Sequence, residues 1–285
     1  MSNPLYKINN LVCSYKKGKD VLSIRKLEIP RNRIIVLIGK SGGGKSTFLE
    51  TLGLMNDTIK SGEILFYPTP DAPPLSLKEQ WAKSHRTGIA KIRRDYYSFI
   101  FQNTNLMQNF TAHENACLSQ MIHGNSFDHS MERVRETMGT MGLGDVEEWK
   151  NASELSGGQR QRLAFVRAIT TSFTVLFGDE PTGNLDEFNS DELMQKLQDS
   201  ISNQDRSAII VSHNIELSAR YADMIMVLIK SDDKDACAYI TPEQVFTRKG
   251  KTREWLDHAG RPVENIVLSI QSTLTGKTPA TSFNP

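Results

Sequence analysis

Residues 34–53 read IIVLIGKSGGGKSTFLETLG. An unbroken apolar run, "IIVLI", is the pattern of a strand buried on both faces, and it leads into a turn holding Gly39, Gly42, Gly43 and Gly44 before a helix-like segment. Gly39, Gly44, Lys45 and Ser46 satisfy G-x-x-x-x-G-K-[S/T] with a strand before and a helix after, the context that spacing requires. The physical need is charge: glycines let the backbone curl so that successive N–H groups point at an anion without Cβ interference. The helix starting near Lys45 adds partial positive charge at the same place. Gly39, Lys40, Ser41, Gly42, Gly43, Gly44, Lys45, Ser46 and Thr47 therefore form the candidate cradle for a nucleotide's phosphates. Lys45 would bridge the β and γ phosphates, and the Ser46 hydroxyl would ligate Mg²⁺.

Around this loop, 285 residues suit one large α/β domain with appendages. Lys and Arg number 34 against 33 Asp and Glu, which gives no bulk electrostatic reason to bind nucleic acid or an anionic membrane face. Cys13, Cys117 and Cys237 stand apart, with no CxxC pair, as inert thiols in a reducing cytosol would. No run approaches the roughly 18 apolar residues of a membrane span. "MIMVLI" at 224–229 suits a buried strand, and "MSNPLYKINN" lacks the pattern of an export signal.

Residues 5–29 alternate apolar and polar positions around "KKGKD", an antiparallel ribbon with a loop, and Asn32 can take the left-handed conformation of the following turn. "TVLFGD" at 174–179 and "SAIIVSH" at 207–213 repeat the strand-then-helix pattern, so a parallel sheet is expected. Between them lie a Pro-rich loop ("YPTPDAPPLS"), a charged helical stretch to residue 95 and a helical region over about 103–170. "MIMVLI" and "ACAYI" flank the polar turn "KSDDKD", and Thr241–Pro242 reads as a helix start. The expected organisation is a nucleotide-binding domain over 1–230, a hairpin and helix extension over 231–270, and a mobile polar tail over 271–285.

Hydrolysis needs a carboxylate at a neighbouring strand end, where ligands of open parallel sheets collect. Asp179 closes the apolar run of "TVLFGDEP" and would hold the Mg²⁺ shell, and Glu180 is placed to orient or deprotonate a water. His213 ends the third strand, and Gln102 follows the apolar "SFIF"; taken singly, both are ordinary in those places. His123, Asp128 and His129 sit in the polar "HGNSFDHS" and read as a solvated loop, not metal ligands.

"ELSGGQRQRLAFVRAIT" at 154–170 resembles the signature motif of ABC-type ATPases, and the other pieces occur in the order that family shows. The resemblance covers about residues 5–230 and implies an ABC-type nucleotide-binding fold with parallel-sheet core, antiparallel β subdomain and helical subdomain, binding ATP and Mg²⁺. Ser156, Gly157, Gly158 and Gln159 open a helix whose hydroxyl, N–H groups and dipole face an anion. In the family this second phosphate site completes the nucleotide site of another subunit, so a head-to-tail dimer is implied. The resemblance further implies that Tyr15 stacks on adenine, that Gln102 senses Mg²⁺ and water, that His213 contacts the γ phosphate, and that Asp186 lies at the dimer seam. Within the family, "IRRDYYSFIFQNTNLMQNFTAHENA" and "DEPTGNLD" are similar to the lipoprotein-release, macrolide-export and cell-division ATPases. That subgroup implies a separate integral membrane permease as partner, a place on the cytoplasmic face of the membrane, and no nucleic acid. The Pro-rich residues 67–78, the pair Ser172 and Phe173, and residues 231–285 depart from the family pattern.

Three alternatives meet specific residues. A soluble ABC ATPase of chromosome maintenance or repair would carry a long coiled coil between Gln102 and Ser156, where only about fifty residues without sustained heptads stand. A regulatory subunit without turnover would lack Glu180 or His213, and a P-loop kinase would lack the signature helix. The permease is expected at a groove of the helical region, with "FTAHENACLSQMI" receiving a short helix.

Overall fold

The computed structural model describes residues 3–15, 18–82, 86–146, 149–202, 205–230, 236–250 and 252–276. In chain order it runs β1 (Tyr6–Ser14), β2 (Asp20–Ile29), β3 (Ile34–Gly39), α1 (Lys45–Leu52), β4 (Ile59–Phe66), β5 (Leu75–Ser76), α2 (Leu77–Ala82), α3 (Arg86–Tyr96) and β6 (Tyr97–Ile100). There follow α4 (Ala112–Ile122), α5 (Phe127–Thr140), α6 (Gly157–Ile169), β7 (Val175–Asp179), α7 (Glu187–Ser202), β8 (Ser207–Val211) and α8 (Ile215–Tyr221). The last elements are β9 (Met224–Leu228), β10 (Ala238–Ile240), β11 (Val245–Arg248), β12 (Trp255–Leu256), β13 (Pro262–Val263) and α9 (Ile266–Thr275). They fall into two compact units, residues 1–85 with 211–285, and residues 86–210.

The first unit holds the expected antiparallel ribbon. β1 pairs with β2 from Tyr6↔Ile29 to Ser14↔Asp20, and the strand order is β10-β2-β1-β4-β5. Tyr6, Ile8, Leu11 and Cys13 turn one face of β1 into the core. Between Asn9 and Val12 the register with β4 slips. There Asn10 takes φ 48° opposite Gly62 at φ 83°, and a Cβ on Gly62 would stand 2.2 Å from the Asn10 carbonyl oxygen. Only a residue without a side chain fits that bulge.

The same unit carries β3, the strand that leads into the glycine-rich loop. All six residues of β3 are buried, and β3 lies parallel to β9 from Ile35↔Met224 to Gly39↔Leu228. Asn32 makes the turn before it with φ 54°, as its short polar side chain permits. The parallel pair is then lengthened by antiparallel strands, in the order β3-β9-β11-β12-β13, so the sheet carries an antiparallel margin beside its parallel core. Three expectations are not met. β9 and the strand after residue 236 do not form a hairpin ladder: they meet at a single bridge, Ile229↔Tyr239, while β10 runs parallel to β2 in the other sheet. The Thr241–Pro242 start yields one 3-10 turn, Pro242–Gln244, because the apolar Val245 and Phe246 are drawn into pairing with β9. The polar tail does not begin at residue 271: α9 continues to Thr275, capped by Asn265 at its start and by Gly276 at φ 68°, with Ile270 buried. Lys16 and Lys17 of the first loop, residues 231–235 of the polar turn and residues 277–285 lie outside the described residues.

In the second unit β6 pairs in parallel with β7, from Tyr97↔Val175 to Ile100↔Gly178, and β8 follows β7. Phe99 stacks on Phe177 at 5.4 Å, and Tyr97 meets Phe177 edge-on at 5.2 Å. Two capped helices follow: Thr111 caps α4 in a reciprocal arrangement with Glu114, and Ser126 caps α5. The unusual Phe173 has a partner in Arg206, whose guanidinium lies 4.3 Å above its ring and donates to Thr171 O at 3.1 Å. Burial pushes the Arg206 pKa down to about 10. His123 ends α4 with Nδ1 bonded to Ser119 O and Thr171 Oγ1, and Asp128 and His129 belong to the first turn of α5. Among the described residues no cluster of His, Cys, Asp and Glu could hold a metal, and no helix is long and apolar enough to cross a membrane. Cys13 and Cys117 are buried, and burial raises both thiols, Cys117 to about 11.

The bulge sets a test of the ribbon. Gly62→Ala should lower unfolding stability by at least about 2 kcal/mol, read from urea denaturation, because the methyl meets backbone that cannot swing away.

Candidate functional site

The phosphate loop is built on three backbone constraints. A Cβ at Gly39 would lie 2.8 Å from Leu228 O, and one at Gly43 would lie 2.8 Å from Lys40 O, so close approach excludes side chains there. Gly44, the residue before α1, has φ 92°, which reverses the chain into the helix. Lys45 folds back over the loop and donates to Gly39 O at 2.9 Å and Lys40 O at 3.0 Å, buried to 6% exposure. Lys40, Ser41, Gly42 and Ser46 are exposed, whereas Thr47 is buried and shares a 3.0 Å hydrogen bond with the Tyr15 hydroxyl. The Tyr15 ring stays 45% exposed, an aromatic face tethered to the first turn of α1.

His213 belongs to the same unit and is exposed. Its neighbours fix its backbone: Ser212 N–H donates to Leu37 O of β3 at 3.2 Å, and Asn214 caps α8 by accepting from Leu217 N–H at 2.9 Å.

The second unit carries the rest. Asp179 ends β7, and Glu180 follows with φ 51°, a left-handed backbone that residues other than glycine seldom adopt. Gly183 N–H donates to Glu180 O at 3.0 Å, and buried Gln161 of α6 donates to Pro181 O at 2.7 Å, so the turn carrying Glu180 is held from two sides. Such enforced backbone strain is a mark of functional positions. Asp186 gives both carboxylate oxygens to Asn189, at 2.9 Å to its N–H and 2.6 Å to its amide, and these bonds hold its pKa below the usual carboxylate range. Sequence reading gave Asp186 a seam role only; in the fold it also caps α7.

Ser156 caps α6: its Oγ accepts from Gln159 N–H at 3.2 Å, while Gln159 Oε1 accepts from Ser156 N–H at 2.9 Å. Ser156 and Gly157 are exposed, and a Cβ at Gly157 would meet nothing within 4 Å. Intramolecular packing therefore does not explain the glycine. An exposed, glycine-bearing helix start is instead suited to an anion from outside the unit.

Gln102 is exposed just past β6, and the loop after it bends through Thr104 at φ 55° and Asn105 at φ 47°. Arg167, near the other end of α6, holds that bend by donating to Thr104 O at 2.7 Å and Asn105 O at 2.9 Å, and burial lowers its pKa. Arg167 was missed by sequence reading, since its partners lie 62 and 63 positions away and an arginine late in a helix is ordinary.

A glycine phosphate loop on a parallel strand in one unit, and a strand-end carboxylate pair with a serine-capped glycine helix in the other, define a P-loop ATPase of the ABC type. The chain belongs to the ABC transporter family, whose profile matches residues 22–183. A lipoprotein-releasing system ATP-binding protein, LolD, from Paramagnetospirillum magneticum is 36% identical over 223 residues, 77% of this chain and 93% of its own length. The macrolide export ATP-binding/permease protein MacB of Shewanella sp. strain ANA-3 is 30% identical over 285 residues, covering 96% of this chain but 41% of that protein. Among solved structures, the dimeric ABC transporter cassette MJ0796 aligns with TM-score 0.70 and 25% identity over 86% of this chain and 99% of that one. The same cassette is also known as a dimer in a post-hydrolysis state bound to ADP and Pi. The chain is thus an ATP-binding subunit and an ATPase, and its relatives support the transporter reading over one on nucleic acid.

Arg167→Met should speed hydrogen exchange of the amides of residues 103–107 by at least about tenfold, because the two carbonyls that fix the bend lose their donors. Unchanged protection would show the bend to be held otherwise.

Proposed function

We propose that this chain powers a transporter of the lipoprotein-release or macrolide-export kind, pairing head to tail with a second copy on ATP and passing that closure to a separate membrane permease. The observation that carries it is the presence of two glycine-bearing helix starts on one chain, Gly44 before α1 and the Ser156 cap with Gly157 at α6, each suited to cradle an anion. Two cradles serve one nucleotide each if each copy offers its first to its own ATP and its second to its partner's.

The roles then divide by chemistry. The loop from Gly39 to Thr47 binds the phosphates through backbone N–H groups, Lys45 turns its ammonium from the loop carbonyls toward the β and γ phosphates, and Tyr15 lays its exposed ring on adenine. The oxygen donors of Ser46, Gln102 and Asp179 suit a hard divalent ion. Mg²⁺ bound with ATP would neutralise charge developing on the phosphates. Glu180 orients or deprotonates the attacking water, and His213 donates toward the γ phosphate. Ser156, Gly157, Gly158 and Gln159 contribute their hydroxyl, N–H groups and helix dipole to the partner's nucleotide, with Asp186 at the seam.

The permease meets the helical region. Of the segment "FTAHENACLSQMI", Ala112, Ala116 and Cys117 are spent on the region's own core, and Phe110, Met121 and Ile122 are exposed. A cleft of about 590 Å³ opens beside it, lined by His113, Phe127, Met131, Arg135 and by Trp149, which is 72% exposed. An apolar floor with a charged rim suits a short helix laid into a groove. Held there, the chain works at the cytoplasmic face of the membrane without spanning it.

Lys45→Ala should lower ATP turnover at least about 100-fold with the far-ultraviolet circular dichroism unchanged; retained turnover sinks the phosphate role. Glu180→Gln should bind ATP, hydrolyse none, and accumulate as a dimer in light scattering. A monomer under saturating MgATP defeats the two-copy site. Ser156→Arg added to that variant should abolish the dimer while leaving nucleotide binding intact.

A further inference from the structure

Residues 236–276 lie beyond the family match, and one of them reaches back to the far end of the helix that follows the histidine. Arg248, the last residue of β11, donates through Nε to Ala222 O at 2.9 Å and through Nη2 to Ala219 O at 2.6 Å and Arg220 O at 3.1 Å. Its own N–H donates to Asp223 O at 2.8 Å, and its guanidinium lies 4.8 Å from the centre of the buried Trp255 ring. The three carbonyls are those that the end of α8 leaves without an intrahelical partner, so the guanidinium satisfies them with a fork of donors and a positive charge at the negative pole.

α8 has seven residues, too few to persist without outside support. Its first end is fixed by the Asn214 cap, and Asn214 N–H in turn donates to Ser212 Oγ at 3.1 Å. His213 lies between these two residues, in the short turn from β8 into α8, and Ser212 before it donates its N–H to Leu37 O of β3 at 3.2 Å. Beyond the other end, Asp223 accepts from Ile34 N–H through its carboxylate at 2.9 Å and donates its own N–H to Ile34 O at 2.8 Å. Ile34 begins the strand that ends in Gly39. Arg248 thus closes a frame of β3, α8 and the start of β9, with His213 at one corner and itself at the other.

We propose that Arg248 is a positioning residue for ATP hydrolysis: by fixing the C-terminal end of α8 it holds His213 where that side chain acts. The inference rests on the role given to His213 above. In the full chain, Arg248→Met should lower kcat about fivefold or more while KM for MgATP stays within about twofold, because the phosphate loop is untouched. Arg248→Lys, which keeps the charge but offers no fork, should fall between. In a His213→Ala background, Arg248→Met should add less than about a twofold loss, since both changes remove one effect. A kcat within twofold of the parent for Arg248→Met, accompanied only by a lower Tm, overturns the inference, as does a fully additive loss in the His213→Ala background. Parental turnover in His213→Ala alone overturns the histidine's role itself, a failure read from a different variant. Should Arg248→Met not fold, Arg248→Lys carries the same comparisons, and Trp255→Leu, which leaves the three carbonyl bonds in place, should keep kcat within about twofold of the parent.

Discussion

The ammonium of Lys45, folded onto the carbonyls of Gly39 and Lys40, is the contact on which the rest of the site depends. The carbonyls of Gly39 and Lys40 turn into the loop, and the buried lysine answers both. The loop can take this form only because β3 brings Gly39 against Leu228 O and Gly44 reverses the chain into α1. The strand, the glycines and the lysine are therefore one device: none of the three would be stable in this form without the other two.

The second unit repeats the logic with a helix as the organising piece. The two ends of α6 have different tasks, an exposed serine-capped start and a buried arginine that grips the bend after Gln102. Along its middle, Gln161 holds the turn that carries Glu180, and Arg162 donates to Asn189, the residue that binds the Asp186 carboxylate. One rigid helix thereby fixes the loop of Gln102, the turn of Glu180 and the cap of α7. A displacement at its exposed start would be felt by all three.

What could be read in the sequence follows from how local each feature is. The loop at residues 39–47, the capped start of α6 and the carboxylates at the end of β7 are each set by a few successive residues, so their chemistry shows in a short string. Asn32 and the ribbon of residues 5–29 were legible for the same reason. The grips of Arg167 and Arg248 were not, because each joins positions distant in sequence through carbonyls that any residue could supply. The departure of β10 into the other sheet was equally hidden. Three residues, Ala238, Tyr239 and Ile240, carry no pattern that chooses β2 over β9, and tertiary packing makes the choice. The last five residues of α9, Gln271–Thr275, were hidden by their serine and threonines, which read as a tail until Gly276 is seen to cap the helix beyond them.

The three short strands after β9 have a colloidal consequence. A sheet that stopped at β9 would present a long apolar row of unpaired backbone groups, the template on which chains stack edge to edge. Here that row is covered by β11, then by two strands of two residues each, and the outermost begins with Pro262, which has no N–H to offer a newcomer. The same segment that braces α8 therefore also blunts this margin of the sheet against aggregation, so trimming the chain after residue 230 would cost solubility as well as order.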